Sequence, residues 1–167
     1  TNHLDINSRE ILADALEASQ ALADTTAVTV TGSSGDDVFR VDLDSSLGIP
    51  VSFVDSSAAD EDTLRVVGAA ERTFTLAGLG AVTVTDGSGT VVFGSAVENL
   101  SAGSGNDRFV FGNGAAVSGR IDAGAGDTNT LDYSAYTTAV VTDLAAGTST
   151  GTGGVVGFRA VVGGSGG

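Results

Sequence analysis

The sequence contains no cysteine, no lysine and no tryptophan, and it has one proline and one histidine among its 167 residues. Without cysteine, the chain cannot form a disulfide framework, a zinc–thiolate site or a cysteine nucleophile. The single histidine, His3, lies near the N-terminus, and no serine in a G-x-S-x-G segment has a histidine downstream of it, so serine–histidine hydrolase chemistry is poorly supported. No apolar run approaches the roughly 18 residues that a membrane-spanning helix needs, and no membrane insertion is expected.

Positive charge is also scarce. Seven arginines face 21 acidic residues, which gives a formal net charge of −14. Nucleic acids and anionic membranes both require clustered positive charge, and neither is expected as a partner. Among the acids, aspartate outnumbers glutamate by sixteen to five, a bias towards the shorter carboxylate that suits turns and calcium-binding loops.

From residue 27 onward, short segments rich in valine, threonine and phenylalanine alternate with clusters of glycine, serine, aspartate and asparagine. Short strands that recur every ~8–13 residues predict an all-β architecture. A β-sandwich and a parallel β-solenoid both fit this pattern. The strand candidates are 28–31, 51–54, 73–76, 82–85, 91–93, 109–111, 140–142 and 160–162.

Residues 8–24 are predicted to form an α-helix. Asn7 can cap its N-terminus, Glu10 stands in the capping-box position, and apolar residues recur at intervals of three and four from Ile11 onward. The chain therefore divides into an N-terminal helical part at 1–26, which serves as a cap or a linker, and a β module at 27–167. Because its last five residues begin another glycine loop, this module is expected to continue beyond the C-terminus.

Glycine-rich loops lead directly into an aspartate at two places. Residues 32–39 and 102–109 both follow a G-x-x-G-x-D-x-apolar pattern, with alanine at the first position of the second loop. Residues 123–131 follow the pattern with the acid shifted by one place. Glycines allow tight turns that expose carbonyl oxygens, and aspartate adds an anionic oxygen, a combination that suits calcium. The acidic cluster at 59–62 is interpreted as a solvated loop, with a further calcium contact as the alternative.

These loops resemble the nonapeptide G-G-x-G-x-D-x-U-x, with U apolar, of the RTX (hemolysin-type) calcium-binding repeats of large bacterial surface proteins. The resemblance implies that Asp37, Asp107 and Asp127 are calcium ligands and that Phe39 and Phe109 are buried. RTX blocks repeat the nonapeptide in tandem, whereas each copy here stands alone. The resemblance also implies that the loop backbones contribute to the calcium site at Gly32, Gly35, Gly103, Gly105, Gly124 and Gly126.

The spacing of the loops favours the solenoid. The glycines that precede the acids are separated by 70, 21 and 40 residues, close to three, one and two turns of a coil with about 20–23 residues per turn. A coil of this kind would place all four loops along one edge. These glycines are Gly35, Gly105, Gly126 and Gly166.

On that interpretation, the loops at Gly105 and Gly126 lie on adjacent turns of the coil. Phe109 and Leu131 should then share one core, and Asp107 and Asp127 should lie near each other. Two carboxylates at such a distance are unfavourable without a cation, so this pair is expected to share an ion.

We therefore expect a right-handed parallel β-solenoid that acts as a calcium-stabilised structural segment of a large secreted or cell-surface bacterial protein, such as an adhesin or a matrix or filament component. No enzyme activity is expected, and calcium is the expected cofactor. End-to-end self-association and contact with surface carbohydrate are the other expected interactions. Because no signal-peptide pattern opens the sequence, export is expected to be directed from outside it.

Two other functional classes stay open. Carboxylates in pairs, such as Asp60 and Asp62, fit a carbohydrate-active β-helix enzyme. Recurring Thr-x-Thr segments would project hydroxyl and methyl groups from one face of a strand, which fits a carbohydrate- or ice-binding module.

Overall fold

The computed structural model describes residues 4–6, 11–13, 25–43, 48–55, 57, 59–85, 90–93 and 96–166. These residues form strands and loops without a helix, which confirms the all-β prediction, and none of them forms a helix that could cross a membrane. The strands are β1 (Leu4–Ile6), β2 (Ile11–Ala13), β3 (Val28–Thr31), β4 (Val38–Asp42), β5 (Val51–Val54), β6 (Thr63–Val67), β7 (Thr73–Leu76), β8 (Val82–Thr85), β9 (Thr90–Phe93), β10 (Asn99–Ser101), β11 (Arg108–Phe111), β12 (Arg120–Asp122), β13 (Thr130–Asp132), β14 (Thr142–Asp143), β15 (Thr148–Ser149), β16 (Gly154–Val156) and β17 (Ala160–Val162).

The first two strands bear on the predicted N-terminal helix. β1 pairs antiparallel with β2, with Leu4 opposite Ala13. Within the predicted helix at 8–24, Ile11–Ala13 are therefore strand rather than helix, and the other residues of that segment lie outside the described residues. A three-residue apolar segment fits the period of a helix or of a strand, and here pairing with a neighbouring segment decides for the strand.

Most of the remaining strands belong to two sheets. A five-stranded sheet has the order β16-β12-β10-β6-β4 and is parallel throughout. An eight-stranded sheet has the order β17-β13-β11-β7-β8-β9-β5-β3. The chain crosses from one sheet to the other after each of β3, β4, β5 and β6, and again after β9, β10, β11, β12 and β16. Each pass of the chain therefore adds a strand to both sheets and contains two connecting loops, one at each edge.

The strand register gives the length of one pass. Leu100 is opposite Ile121 and Phe109 is opposite Leu131, which are steps of 21 and 22 residues. Both steps agree with the predicted repeat of about 20–23 residues. The step from Leu64 to Leu100 is 36 residues, because the chain forms two additional strands in between.

The additional strands form an antiparallel meander within the eight-stranded sheet. β7 pairs antiparallel with β8, and β8 pairs antiparallel with β9, which returns to parallel pairing with β5. β8 and β9 therefore separate β7 from β5, whereas β6 pairs directly with both β4 and β10 in the five-stranded sheet. Another antiparallel pair, β14 and β15, lies outside both sheets.

The core lies between the two sheets and consists of side chains at alternate strand positions. Phe39 of the five-stranded sheet stacks on Phe53 of the eight-stranded sheet, with ring centroids 5.3 Å apart. Phe74 stacks on Phe109 of the neighbouring strand, with centroids 4.3 Å apart. Phe109 and Leu131 are both fully buried, so their predicted place in one core is confirmed.

Candidate metal centre

Two loops at one edge of the sheets bring three carboxylates together. The loop at 32–37 joins β3 to β4, and the loop at 55–62 joins β5 to β6. The loops are neighbours because β3 pairs with β5 and β4 pairs with β6. One carboxylate oxygen each from Asp37, Asp55 and Asp62 lies within 4.8 Å of the other two, and we call these three residues the carboxylate cluster. A calcium ion with Ca–O bonds of ~2.3–2.6 Å bridges ligands at such separations.

Backbone amides occupy one oxygen of each carboxylate in the cluster. Asp62 Oδ1 accepts a hydrogen bond from the Asp37 amide at 2.9 Å. Asp37 Oδ2 and Asp55 Oδ2 accept hydrogen bonds from the amides of Ser33 and Ser57, respectively. The other oxygens of Asp55 and Asp62 are buried and have no hydrogen-bond donor among the described residues. A buried anionic oxygen without a donor destabilises the fold, and a cation is the partner that fits its charge.

Asp62 is fully buried, with 0% of its surface exposed, so the interpretation of its loop as solvated is wrong for this residue. Burial, together with the carboxylates of Asp55, Asp60 and Asp37, raises the pKa of Asp62 to about 6 against the opposing effect of its backbone hydrogen bond. No cationic side chain contributes to this shift. A bound divalent cation would favour the ionised form of Asp62 and offset the repulsion among the carboxylates.

Gly32 lies directly against the cluster. A Cβ atom at this position would lie 2.6 Å from Asp55 Oδ1 and 3.1 Å from Asp37 Oδ2. Any larger residue would therefore displace the carboxylates, so this predicted site residue is required by the geometry of the cluster. Gly35 has no such role, because a Cβ atom there would meet nothing within 4 Å.

The second glycine–aspartate loop has a different environment. Asp107 is buried, its Oδ1 accepts a hydrogen bond from the Arg72 amide at 2.7 Å, and its own amide donates to Asn129 Oδ1 at 2.7 Å. The register that places Phe109 opposite Leu131 therefore pairs Asp107 with Asn129 and leaves the exposed Asp127 outside this contact. Asp107 is therefore paired with Asn129 and not with Asp127, because the loop before β13 is one residue longer than the loop before β11.

Asp107 has an amide side chain and a guanidinium group beside it, whereas Asp37 has other carboxylates beside it. Asn129 Nδ2 donates hydrogen bonds to the carbonyls of Ala123, Gly126 and Gly157, and so ties three stretches of backbone together. The Arg72 guanidinium donates to the carbonyl of Leu43 and favours the ionised form of Asp107. The positive charge of Arg72 partly offsets the charge of Asp107, although Asp107 Oδ2 is also buried without a hydrogen-bond donor among the described residues.

The glycines of the second and third loops allow backbone to stack on backbone. A Cβ atom at Gly103 would collide with the Gly68 carbonyl, and one at Gly124 would collide with the Gly103 carbonyl. Those carbonyls also accept hydrogen bonds, from the amides of Ser104 at 2.9 Å and Ala125 at 3.0 Å. Gly105 and Gly126 are in the same situation, against the carbonyls of Ala70 and Gly105. Close stacking of successive passes accounts for the presence of glycine at these four predicted site residues.

The four glycine loops do not share one edge, which corrects the prediction from their spacing. The loop at Gly35 leads from the eight-stranded to the five-stranded sheet, whereas the loops at Gly105 and Gly126 lead in the opposite direction. The loop at Gly166 follows β17 of the eight-stranded sheet, as the Gly35 loop follows β3. The 70 residues between Gly35 and Gly105 therefore span a whole number of passes plus one half pass, and they include the meander.

Asp107 gives a prediction for the dependence of stability on pH. Burial raises its pKa to about 6, against the hydrogen bond from the Arg72 amide and the Arg72 charge. A carboxyl group whose pKa is higher in the folded than in the unfolded state stabilises the fold while it is protonated. This contribution is fully present below the ordinary pKa near 4 and is lost as the pH rises through 6. The isosteric Asp107→Asn variant does not titrate, so its stability relative to the unaltered chain should rise by up to about 3 kcal/mol between pH 4 and pH 8.

Urea unfolding at both pH values measures this difference, on protein that has been freed of metal with EDTA at pH 8 and then transferred to metal-free buffers. The Asp127→Asn variant, which makes the same substitution at an exposed position, is the matched control. A stability difference for Asp107→Asn that is the same at both pH values would contradict the prediction.

Comparisons with family models, with curated proteins and with solved structures give no match to this chain. The carboxylate cluster is therefore the feature of the chain that bears most directly on function. Of its members, the glycine–aspartate pattern contains only Asp37. Asp62 belongs to the acidic cluster at 59–62, for which a calcium contact was the alternative interpretation, and Asp55 was missed. A signal for Asp62 was present, because Asp62-Thr63-Leu64 repeats the Asp-x-apolar order of Asp37-Val38-Phe39 and the two segments pair in register.

Proposed function

We propose that this protein is a calcium-stabilised structural segment of a secreted or cell-surface protein, with its two sheets wound as a right-handed parallel β-solenoid. The alternation of strands between two mainly parallel sheets, with steps of 21 and 22 residues, supports the solenoid. The observation that carries the calcium function is the carboxylate cluster, in which two buried oxygens have no donor among the described residues.

The ion would be held by Asp37, Asp55 and Asp62, and its positive charge would offset the negative charges of these three loop carboxylates. Asp37 belongs to one pass of the chain and the other two belong to the next, so the ion would tie successive passes together. Without it, the carboxylates repel one another and the edge of the sheets is loosened. Extracellular modules bind calcium with dissociation constants of about 10⁻⁴–10⁻³ M, so that binding would accompany arrival outside the cell.

Thermal unfolding with calcium and with EDTA tests the proposal. At a calcium concentration of about 100 times the dissociation constant, binding to the folded state alone adds about 2.7 kcal/mol, which corresponds to a rise in Tm of about 5–10 °C. Magnesium should have a much smaller effect, because it requires shorter bonds and a stricter octahedral geometry.

Two variants make the test specific. Asp62→Asn should lose the calcium response while its calcium-free form stays at least as stable as the unaltered chain, because a buried charge has been removed. Asp127→Asn, which changes an exposed acid, should keep the full response. An unaltered chain whose Tm is the same in calcium and in EDTA would show that the proposal is wrong.

A further inference from the structure

The segment between β11 and β12 begins with a turn that contains an Asn-Gly pair, Asn113-Gly114. Both residues are exposed, and the Ala115 amide closes the turn by donating a hydrogen bond to the Gly112 carbonyl at 2.9 Å. Gly114 has a φ angle of +72°, and a Cβ atom there would meet nothing within 4 Å. The proposed calcium site does not include this turn.

The backbone nitrogen of Gly114 is a nucleophile within reach of the side chain that precedes it in sequence. The side-chain carbon of an asparagine and the amide nitrogen of the next residue can close a five-membered ring once that nitrogen has lost its proton. The Gly114 N–H donates no hydrogen bond to any described residue. Glycine also has no side chain to hinder the approach. Solvent base therefore has access to this proton.

The side-chain carbonyl of Asn113 is polarised by two donors from the next pass of the chain. Asn113 Oδ1 accepts hydrogen bonds from the Thr137 amide at 3.0 Å and from the Thr137 hydroxyl at 3.2 Å. Attack on Cγ moves negative charge onto Oδ1, so donors that already point at this oxygen stabilise the intermediate. The leaving group, Nδ2, has no hydrogen-bond acceptor among the described residues.

Asn106 is an internal comparison in a neighbouring loop. It is also exposed, and its Oδ1 accepts a hydrogen bond from the Thr128 amide at 3.0 Å. The next amide, however, belongs to the buried Asp107 and donates to Asn129 Oδ1 at 2.7 Å. The nitrogen that would attack Asn106 is therefore engaged in a hydrogen bond, whereas the nitrogen that would attack Asn113 is not.

We propose that Asn113 is a site of spontaneous modification, at which the folded chain converts this asparagine to aspartate and isoaspartate with water as the only co-reactant. The Gly114 nitrogen gives its proton to solvent base and bonds to Asn113 Cγ. The Cγ–Nδ2 bond then breaks, and Nδ2 leaves as ammonia with a proton from solvent. Water opens the resulting cyclic imide, at Cγ to give aspartate or at the main-chain carbonyl carbon to give isoaspartate.

The two products differ in their effect on the structure. Aspartate keeps an oxygen that can accept the hydrogen bonds from Thr137. Isoaspartate adds a methylene group to the main chain between Gly112 and the buried Ala115, so the hydrogen bond that closes the turn cannot keep its geometry. Each conversion also adds a negative charge to a chain whose net charge is already −14. None of these steps depends on calcium.

Incubation of the folded chain at pH 8, followed by peptide mapping with mass spectrometry, tests the proposal. Asn113 should convert at least about tenfold faster than Asn106, with release of an equal amount of ammonia and with isoaspartate among the products. Asn113→Gln keeps the amide but would have to close a six-membered ring, so position 113 should stay unmodified. Thr137→Val removes the hydroxyl donor with little change of shape and should slow the conversion of Asn113 several-fold.

The same incubation in urea separates the effect of the fold from that of the Asn-Gly pair. If Asn113 converts in urea but keeps its amide in the folded chain, the fold protects this residue and the proposal is wrong. Conversion of Asn106 as fast as that of Asn113 in the folded chain would also overturn it, because the free Gly114 amide would then give no advantage. If Thr137→Val does not fold, the comparison of Asn113 with Asn106 in the unaltered chain decides.

Discussion

Replacing Gly124 by alanine is expected to destabilise the protein by at least about 2 kcal/mol, because two independent effects act at this position. Its φ angle is +73°, in the left-handed region that residues with a Cβ atom rarely adopt. The new Cβ atom would also collide with the carbonyl of Gly103 on the neighbouring pass, and that carbonyl is fixed by its hydrogen bond from Ala125. Since the obstacle is backbone, no side-chain movement can relieve it.

Gly35→Ala is the matched control for this substitution. Gly35 also lies in a glycine–aspartate loop, but its φ angle is not positive and a Cβ atom there would meet nothing within 4 Å. Its substitution should change the free energy of unfolding by no more than about 0.5 kcal/mol. Urea unfolding monitored by circular dichroism measures both variants, and equal effects would refute the role that we assign to backbone stacking.

Replacing Phe109 by alanine should have the largest effect of any core substitution considered, a loss of about 3–5 kcal/mol. The ring is fully buried, stacks on Phe74 at 4.3 Å and meets the edge of Phe158 at 5.2 Å. Both neighbours would face the resulting cavity. Phe74 is held by β7 and Phe158 by the short connection between β16 and β17, so the core cannot close around it.

Val110→Ala tests whether this loss comes from the core or only from β11. Val110 lies on the same strand and is half-buried, so its substitution should lower the free energy of unfolding by about 1 kcal/mol or less. Equilibrium unfolding in urea gives both values. If Phe109→Ala proves as mild as Val110→Ala, the packing of aromatic rings between passes does not hold the sheets together.

Part of this fold follows from local sequence patterns. Short valine- and threonine-rich segments predicted strands of the eight-stranded sheet, such as β3, β5, β7 and β8, whereas the strand candidates included none of the five-stranded sheet. The interval between Gly105 and Gly126 predicted a repeat that agrees with the 21- and 22-residue steps of β10–β12 and β11–β13. The meander of β7, β8 and β9 was not predictable in this way, because its strands have the same composition as the others. Whether a segment pairs with its neighbour in sequence or with the previous pass depends on long-range contacts.

The sequence pattern also did not predict that the glycine loops lie at two different edges of the sheets. Each pass has two loops of similar composition, so an interval between glycines does not distinguish a whole pass from a half pass when the meander adds residues. The loops at Gly35 and Gly105 share one glycine–aspartate pattern but lie at different edges.

The chemistry of each glycine–aspartate loop depends on which residues the register places beside it. Asp37 and Asp107 occupy the same position of the same pattern. Asp37 is next to Asp62 across the strand pair, whereas Asp107 is next to Arg72 on one side and Asn129 on the other. A local motif therefore identifies a loop that can supply a metal ligand. The neighbouring passes of the chain determine whether the aspartate of that loop joins an acidic cluster or a hydrogen-bond network without other acids.

The meander has a consequence for the order in which the chain folds. Every parallel pair in the two sheets joins residues more than 20 positions apart, so each must close a long loop before it gains any hydrogen bonds. In contrast, Phe74 and Val84 are paired within ten residues, and Val84 and Val91 within seven. Contacts between residues close in sequence form fastest, so β7, β8 and β9 would fold first. Their outer strands then offer one free edge to β5 and another to β11, and the structure can grow from its middle towards both ends.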